Sequence, residues 1–258
     1  MIKKEKIVKD WLPRYTGTPL EDFGQYIILT NFSSYLDIFA ERFAVEIQGK
    51  KKPMQTASAE NISIINFGMG SAMAATVMDL LSAIKPKAVL FLGKCGGLKK
   101  KTVPGDLILP IAAIRGEGAS NDYLEPEVPA LPAFALQRSI SSTIISHKSD
   151  YWTGTVYTTT RRVWEHDTKF REYLVKTRAM AIDLETATIF VVGFANEIPC
   201  GALLLVSDNP LVPEGVKTTE SDLQITKKYV HKHLDIGIDS LFELINSGES
   251  VKHLRFED

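Results

Sequence analysis

Two carboxylates stand in a segment otherwise built for burial. In "RAMAIDLETATIFVVGFAN" (178–196), Met180 to Ile182 read as the end of a strand, and Thr186 to Phe194 as an Ala- and Val-rich helix. Asp183 and Glu185 lie between them. A charged carboxylate in such surroundings costs several kcal/mol unless something binds it, so each acid needs a permanent internal partner or a ligand. A third acid is placed alike. "LLLVSDNPLVPEG" (203–215) ends a very apolar strand on Ser207-Asp208 and then breaks on two prolines. Asp is a common turn cap, but burial there would raise its pKa toward the range of a general acid. Asp208 and Glu185 together supply carboxylates at two separate strand ends.

Three further stretches carry groups suited to binding. "LFLGKCGGL" (90–98) combines three glycines with Lys94 directly after an apolar run: a tight turn, or a backbone cradle plus a point charge for an anion. "YWTGTVYTTTRRVWEHD" (151–167) joins aromatics to Arg161-Arg162. It reads equally as a surface hairpin or as rings for a heterocyclic base with guanidiniums for phosphate. "FGMGSAMAA" (67–75) sets two glycines between a strand and a helix, but it is not GxGxxG and no acid follows at the required spacing, which argues against a dinucleotide site. Neither the five histidines nor Cys95 and Cys200 show metal-ligand spacing, so no metal and no organic cofactor is expected, and Cys95 reads as a packing residue.

The elements that must position these groups alternate along the chain. Segments 25–32, 62–70, 88–97, 105–114, 178–185 and 200–208 read as buried strands. Segments 71–84, 131–146, 168–177 and 222–245 read as helices, the last long and amphipathic. Such alternation predicts an α/β fold around a central sheet. No linker or repeat divides the chain, so the expectation is one domain over 25–258 preceded by a polar arm over 1–24. "TNFSS", "GMGSA", "GKCGG", "DLE" and "SDNP" each close a strand with small or polar residues. Ligands collect outside the carboxyl ends of strands in open α/β sheets, so one composite pocket is expected there.

Bulk properties exclude several classes. The chain has 258 residues, 30 basic and 31 acidic side chains and a formal net charge of −1, which gives no global attraction to nucleic acid or anionic membrane. The lysine runs at 50–52 and 99–101 read as solvated loops. No stretch approaches the roughly 18 uninterrupted apolar residues of a membrane span, the first residues lack a signal-peptide core, and two cysteines imply no disulfide framework. A cytoplasmic protein is expected.

The order of "GMG", "GKCGG", "RGEGASNDY" (115–123), "DLETAT" and "SDNP" resembles the nucleoside phosphorylase/nucleosidase superfamily over essentially the whole chain from about Gln25. The resemblance implies a three-layer α/β/α fold with a mixed central sheet, and a homo-oligomer, a hexamer being favoured. "PGDLILPIAAIRGEGASNDYLEPEVPAL" and "TGTVYTTTRRVWEHD" look most like the catalytic domain of AMP nucleosidases, which implies hydrolysis of AMP to adenine and ribose 5-phosphate. By position, the resemblance makes Asp208 the proton donor to the departing purine and Glu185 the ligand of the ribose hydroxyls. It puts Met69, Leu184 and Asp183 near the sugar and base, Leu184 standing where the family usually has methionine. Tyr157 falls where an aromatic ring packs on the base.

The chain departs from the phosphorylases of that superfamily at two positions where they carry arginines for inorganic phosphate: Ser34 and Phe91 stand near those places. Without such guanidiniums water is the expected nucleophile, and Lys94, Arg161 and Arg162 are expected to hold the substrate's own 5′-phosphate. The alternatives are a purine or uridine nucleoside phosphorylase, and a non-catalytic nucleotide-binding regulator on the same fold.

Overall fold

Strands buried on both faces need a cover on each side. A computed structural model, describing residues 2–247, shows how that cover is built. In chain order the elements are α1 (Lys4–Thr16), β1 (Tyr26–Thr30), α2 (Ser33–Phe43), β2 (Gln55–Ala59), β3 (Ile62–Asn66), α3 (Ser71–Leu81), β4 (Ala88–Gly97) and β5 (Leu107–Gly116). There follow α4 (Phe134–Ser146), β6 (Trp152–Thr159), α5 (Thr168–Thr177), β7 (Ala181–Asp183), α6 (Thr186–Ala195), β8 (Cys200–Asp208) and α7 (Thr219–Ser247).

The eight strands form one mixed sheet in the order β2-β3-β1-β4-β7-β6-β5-β8, with β4 also paired to β8. Strand β4 makes this possible. Its first part runs parallel to β8, from Val89 opposite Cys200 to Cys95 opposite Val206. The register then shifts between Cys95 and Gly96, so that Gly96 stands opposite Asp208 of β8 while Gly96 and Gly97 pair antiparallel with β7 on the other side. Such a bulge bends a strand and re-aims its end. As a result β4, β7, β6, β5 and β8 close into a ring, while β1, β3 and β2 extend it as an open sheet.

Period-two alternation sorts the strand side chains into two apolar clusters. Ile27, Leu29, Val89, Phe91, Leu204 and Val206 face helices α1, α3 and α6. Ile28, Leu90, Leu92, Leu203 and Leu205 face α2, α4 and α7. The result is the expected three-layer α/β/α architecture with a mixed sheet. Within the segment read as an arm, α1 buries Leu12 in the first cluster, and Lys4 reaches Asp79 at 2.6 Å and Asn196 at 2.8 Å. Residues 248–258, assigned to the domain by sequence, lie outside the described residues.

Several elements lack a periodic sequence signal. Strand β2 ("QTASA") has little apolar alternation and is held by its full antiparallel register with β3. The segment read as a possible surface hairpin instead supplies β6, which lies inside the sheet between β5 and β7. After β5, the "RGEGASNDY" stretch folds over Arg115, whose guanidinium donates to Ser120 Oγ, Asn121 Oδ1 and the carbonyls of Leu124, Glu125 and Val128. Among the described residues, no helix is long and apolar enough to cross a membrane.

Helix α6 is buried from Thr186 through Gly193, as its all-round apolar sequence requires. At Gly193 a Cβ would stand 2.2 Å from Cys200 Sγ and 3.1 Å from the Ile198 carbonyl oxygen. Replacing glycine by alanine inside a helix ordinarily gains up to about 1 kcal/mol. Here overpacking outweighs that gain, and Gly193→Ala is expected to lose about 1–3 kcal/mol in urea unfolding. Stability equal to the parent's would mean that Cys200 can turn away at no cost.

Candidate active site

All five polar strand ends converge. A cleft of about 220 Å³ is lined by Asn31 and Phe32 after β1, Met69 after β3, Lys94 to Gly96 of β4, Asp183 to Glu185 after β7, and Ser207, Asp208 and Pro210 at the end of β8. Thr159, Arg162, Trp164 and Glu165 close one wall; Lys217 and Asp222, from the approach to α7 and its first turn, close another.

Asp183 and Glu185, separated in sequence by Leu184 alone, sit in different electrostatic situations. Asp183 has permanent partners. Its Oδ1 accepts from Thr158 Oγ1 at 2.7 Å, and its Oδ2 accepts from Thr186 N at 2.9 Å and from Thr186 Oγ1. Thr158 Oγ1 in turn accepts from Ala187 N at 2.9 Å, so this carboxylate pins β6 to the first turn of α6. Glu185 is held from the backbone side. Its Oε1 accepts from Gly70 N at 2.7 Å and Asn31 Nδ2 at 3.1 Å, and its Oε2 accepts only a 3.2 Å bond from Leu184 N. Gly70 presents that N–H from φ +92°, a conformation that side-chain-bearing residues rarely adopt. Burial, with the Asp183 charge beside it, pushes the Glu185 carboxyl up to about 8 against the opposing pull of those donors.

Asp208 is also buried, and burial raises its pKa. Ser207 Oγ lies 2.7 Å from Oδ1, and the backbone N–H of Lys217 approaches Oδ2 at 3.4 Å. The Lys217 ammonium lies 3.3 Å from Ser207 Oγ and 4.0 Å from Asp222 Oδ1. Lys94 is a buried cation with its partners in place. Its ammonium donates to Asp222 Oδ1 at 3.0 Å and Thr226 Oγ1 at 2.7 Å and lies 4.5 Å from the centre of the Phe32 ring. Burial lowers the Lys94 pKa, and Asp222 opposes that shift. Cys95 shares the wall, but burial holds its thiol well above the usual range, so it stays uncharged. Among the described residues, no group of three or more His, Cys, Asp or Glu is arranged to hold a metal ion.

Of the residues singled out from sequence, the structure brings Met69, Lys94, Arg162, Asp183, Leu184, Glu185 and Asp208 to this cleft. It does not bring Tyr157 or Arg161. Tyr157 shares a strand face with Thr159, which does line the cleft, but it sits two residues back and is covered by Phe170 and Tyr173 of α5, with ring centres at 6.0 and 5.8 Å. Arg161 pairs with Asp167 at 2.9 Å and lies 5.0 Å from the Phe170 ring centre. The aromatic walls are Phe32 and Trp164 instead. Phe91, near a family arginine position, is fully buried beside Phe67 rather than lining the cleft. Lys217 and Asp222 were missed. No local pattern marks either one, because a Pro-broken turn and an amphipathic helix start show no periodicity that distinguishes a cleft-facing charge.

The Glu185 environment has a consequence for stability. Unfolded, this carboxyl ionises near its ordinary value of 4.5; folded, it holds its proton up to about 8. Between those values the native state binds more protons, so this group makes stability fall as pH rises. Glu185→Gln cannot ionise and is expected to unfold with a flatter stability profile from pH 5 to 8, gaining most at pH 8, on the order of 1–3 kcal/mol. Parallel profiles for the two proteins in urea titrations at pH 5, 6.5 and 8 would place the Glu185 titration outside this window.

Comparison with known proteins fits this geometry. A model of the phosphorylase superfamily matches residues 25–242. The chain is 56% identical to AMP nucleosidase from Bacteroides thetaiotaomicron VPI-5482, whose crystal structure superposes with a TM-score of 0.86, covering 95% of this chain and 99% of that one. It is 29% identical to AMP nucleosidase of Escherichia coli strain K12 over 288 aligned positions, covering 93% of this chain but 59% of that relative, so it spans less than two thirds of the curated protein's length. Uridine phosphorylase from Vibrio fischeri ES114, 19% identical with a TM-score of 0.76 over 87% of this chain and 94% of that one, shares the fold. The chain belongs to the phosphorylase superfamily.

Proposed function

We propose that the chain hydrolyses the N-glycosidic bond of AMP, releasing adenine and ribose 5-phosphate. The observation that carries this reading is the pair of buried carboxylates, Glu185 and Asp208, in one cleft whose walls also carry two lysines. The likeness to AMP nucleosidase along 99% of the Bacteroides chain supports AMP as the substrate.

Adenine leaves poorly as an anion. In the proposed mechanism the electron pair of the breaking C1′–N9 bond flows into the purine as N7 takes the proton of the Asp208 carboxyl, which Ser207 Oγ and the Lys217 N–H hold in orientation. General acid help of this kind contributes about 10²–10⁴-fold. The ribosyl centre becomes oxocarbenium-like, and Glu185, fixed from behind by Gly70 and Asn31, binds the sugar hydroxyls; in its ionised form, whose share grows as pH rises toward about 8, it also offsets the growing positive charge. Water adds to C1′ and gives up a proton, to the Asp208 carboxylate or to solvent. Phosphate is disfavoured as nucleophile because the one arginine lining the cleft, Arg162, is half exposed and engaged with Glu165 at 3.5 Å.

As the resemblance to the superfamily implies, a homo-oligomer, a hexamer being favoured, is part of this reading. Exposed Ile111, Leu131 and Phe134, near one another through the Ala113–Ala130 bridge, supply apolar surface for assembly. Light scattering giving a monomer mass at micromolar concentration would remove it.

Adenine release from AMP and from adenosine, each with and without inorganic phosphate, tests the reaction. Release from AMP alone, with ribose 5-phosphate as co-product, is expected; release only from adenosine with phosphate would make the chain a phosphorylase. Asp208→Asn is expected to lower kcat by about 10²–10⁴-fold with AMP binding within a few fold of the parent. The fall in kcat/KM as pH rises through the raised Asp208 pKa is expected to vanish in that variant. Near-normal turnover by Asp208→Asn would end the general-acid assignment.

A further inference from the structure

Two lysines and one carboxylate meet on the α7 side of the cleft, and their arithmetic is unusual. Lys94 is buried to 2% of its side-chain surface, so its charge must be matched inside the protein. Asp222 matches it, although 34% of the Asp222 side chain is exposed and the residue lines the cleft. The same Oδ1 is 4.0 Å from the Lys217 ammonium. Thr226 Oγ1 accepts from Lys94 and donates to the Asp222 carbonyl oxygen, and Phe32 covers one side of the ammonium. The cluster thus sets two cations and an apolar lid around a single carboxylate, the charges that a phosphate monoester takes.

We infer that Asp222 is an internal anion occupying the site of the substrate's phosphate, and that it sets a binding threshold which a phosphate carried on a sugar passes and free inorganic phosphate does not. This rests on the reading of the cleft as a nucleotide site. A free phosphate has only its charge with which to displace Asp222, and facing two lysines and one carboxylate it gains little. A sugar phosphate adds contacts of its ribose hydroxyls with Glu185, and that extra binding swings the partly exposed Asp222 off Lys94 into solvent. The same carboxylate keeps inorganic phosphate from accumulating in the cleft, where it would compete with substrate.

The test measures binding alone, so it does not depend on turnover. Titration calorimetry of wild type, Asp222→Asn and Lys94→Met with ribose 5-phosphate, ribose and inorganic phosphate supplies the comparison. Asp222→Asn is expected to tighten inorganic phosphate and ribose 5-phosphate alike by about five- to tenfold, because both displace the same carboxylate, and ribose not at all. Lys94→Met, close in volume, is expected to loosen both phosphates and leave ribose unchanged. Unchanged or weaker phosphate binding by Asp222→Asn, in a variant whose thermal unfolding midpoint matches wild type, overturns the inference. So does an equal tightening of ribose, since Asp222 would then not be competing with a phosphate. If the expected shifts appear while no adenine is released from AMP, the phosphate site stands and the proposed reaction falls.

Discussion

The fold is organised around keeping carboxylates dry at the open end of a sheet. A buried acid is tolerated only where donors surround it, and the two acids flanking Leu184 divide that requirement between them. Asp183 takes three hydrogen bonds from Thr158 and Thr186 and serves as a joint between β6, β7 and α6. Glu185 takes weaker support from Asn31, Gly70 and Leu184, and it is the one left with capacity for a ligand. If the joint failed, α6 would lose its first-turn partner and Glu185 its place above the cleft.

A second constraint is the register shift in β4. Through Cys95 the strand pairs in one register with β8; past the shift Gly96 meets Asp208, and Gly96 and Gly97 also take β7 as a partner. That one shift brings the ends of β7 and β8, and with them Glu185 and Asp208, to the same opening. Flat pairing throughout would leave the two carboxylates on distant strands. The cost of the bulge is offset by the ring of strands it permits, in which β5 and β8 pair at the far side.

Helix α7 then completes what the strand ends begin. Its body covers one face of the sheet through Val230, Leu234, Ile238 and Leu241. Its first turns reach back to the cleft, where Asp222 and Thr226 hold Lys94. Packing and chemistry are therefore coupled along one helix: the apolar stripe fixes its position, and that position fixes the charge on the cleft's buried lysine.

What the sequence determined by itself was local. Apolar runs ending in polar or glycine-rich residues mark where strands stop, and those stops carry Asn31, Met69, Lys94, Asp183, Glu185 and Asp208 to the cleft. Strand–helix alternation marks an α/β fold around a central sheet, and the resemblance to the superfamily adds the three layers. Tertiary structure decided the rest, because it depends on what covers what. Tyr157 and Arg161 belong to α5 rather than to the cleft, since Phe170 and Tyr173 happen to lie over that strand face. Lys217 and Asp222 enter the cleft only because α7 packs where it does, and Asp183 owes part of its difference from Glu185 to Thr158, 25 residues away in sequence, which joins Thr186 in holding it. Periodicity reports which face of an element is apolar, but not which neighbour arrives to meet it.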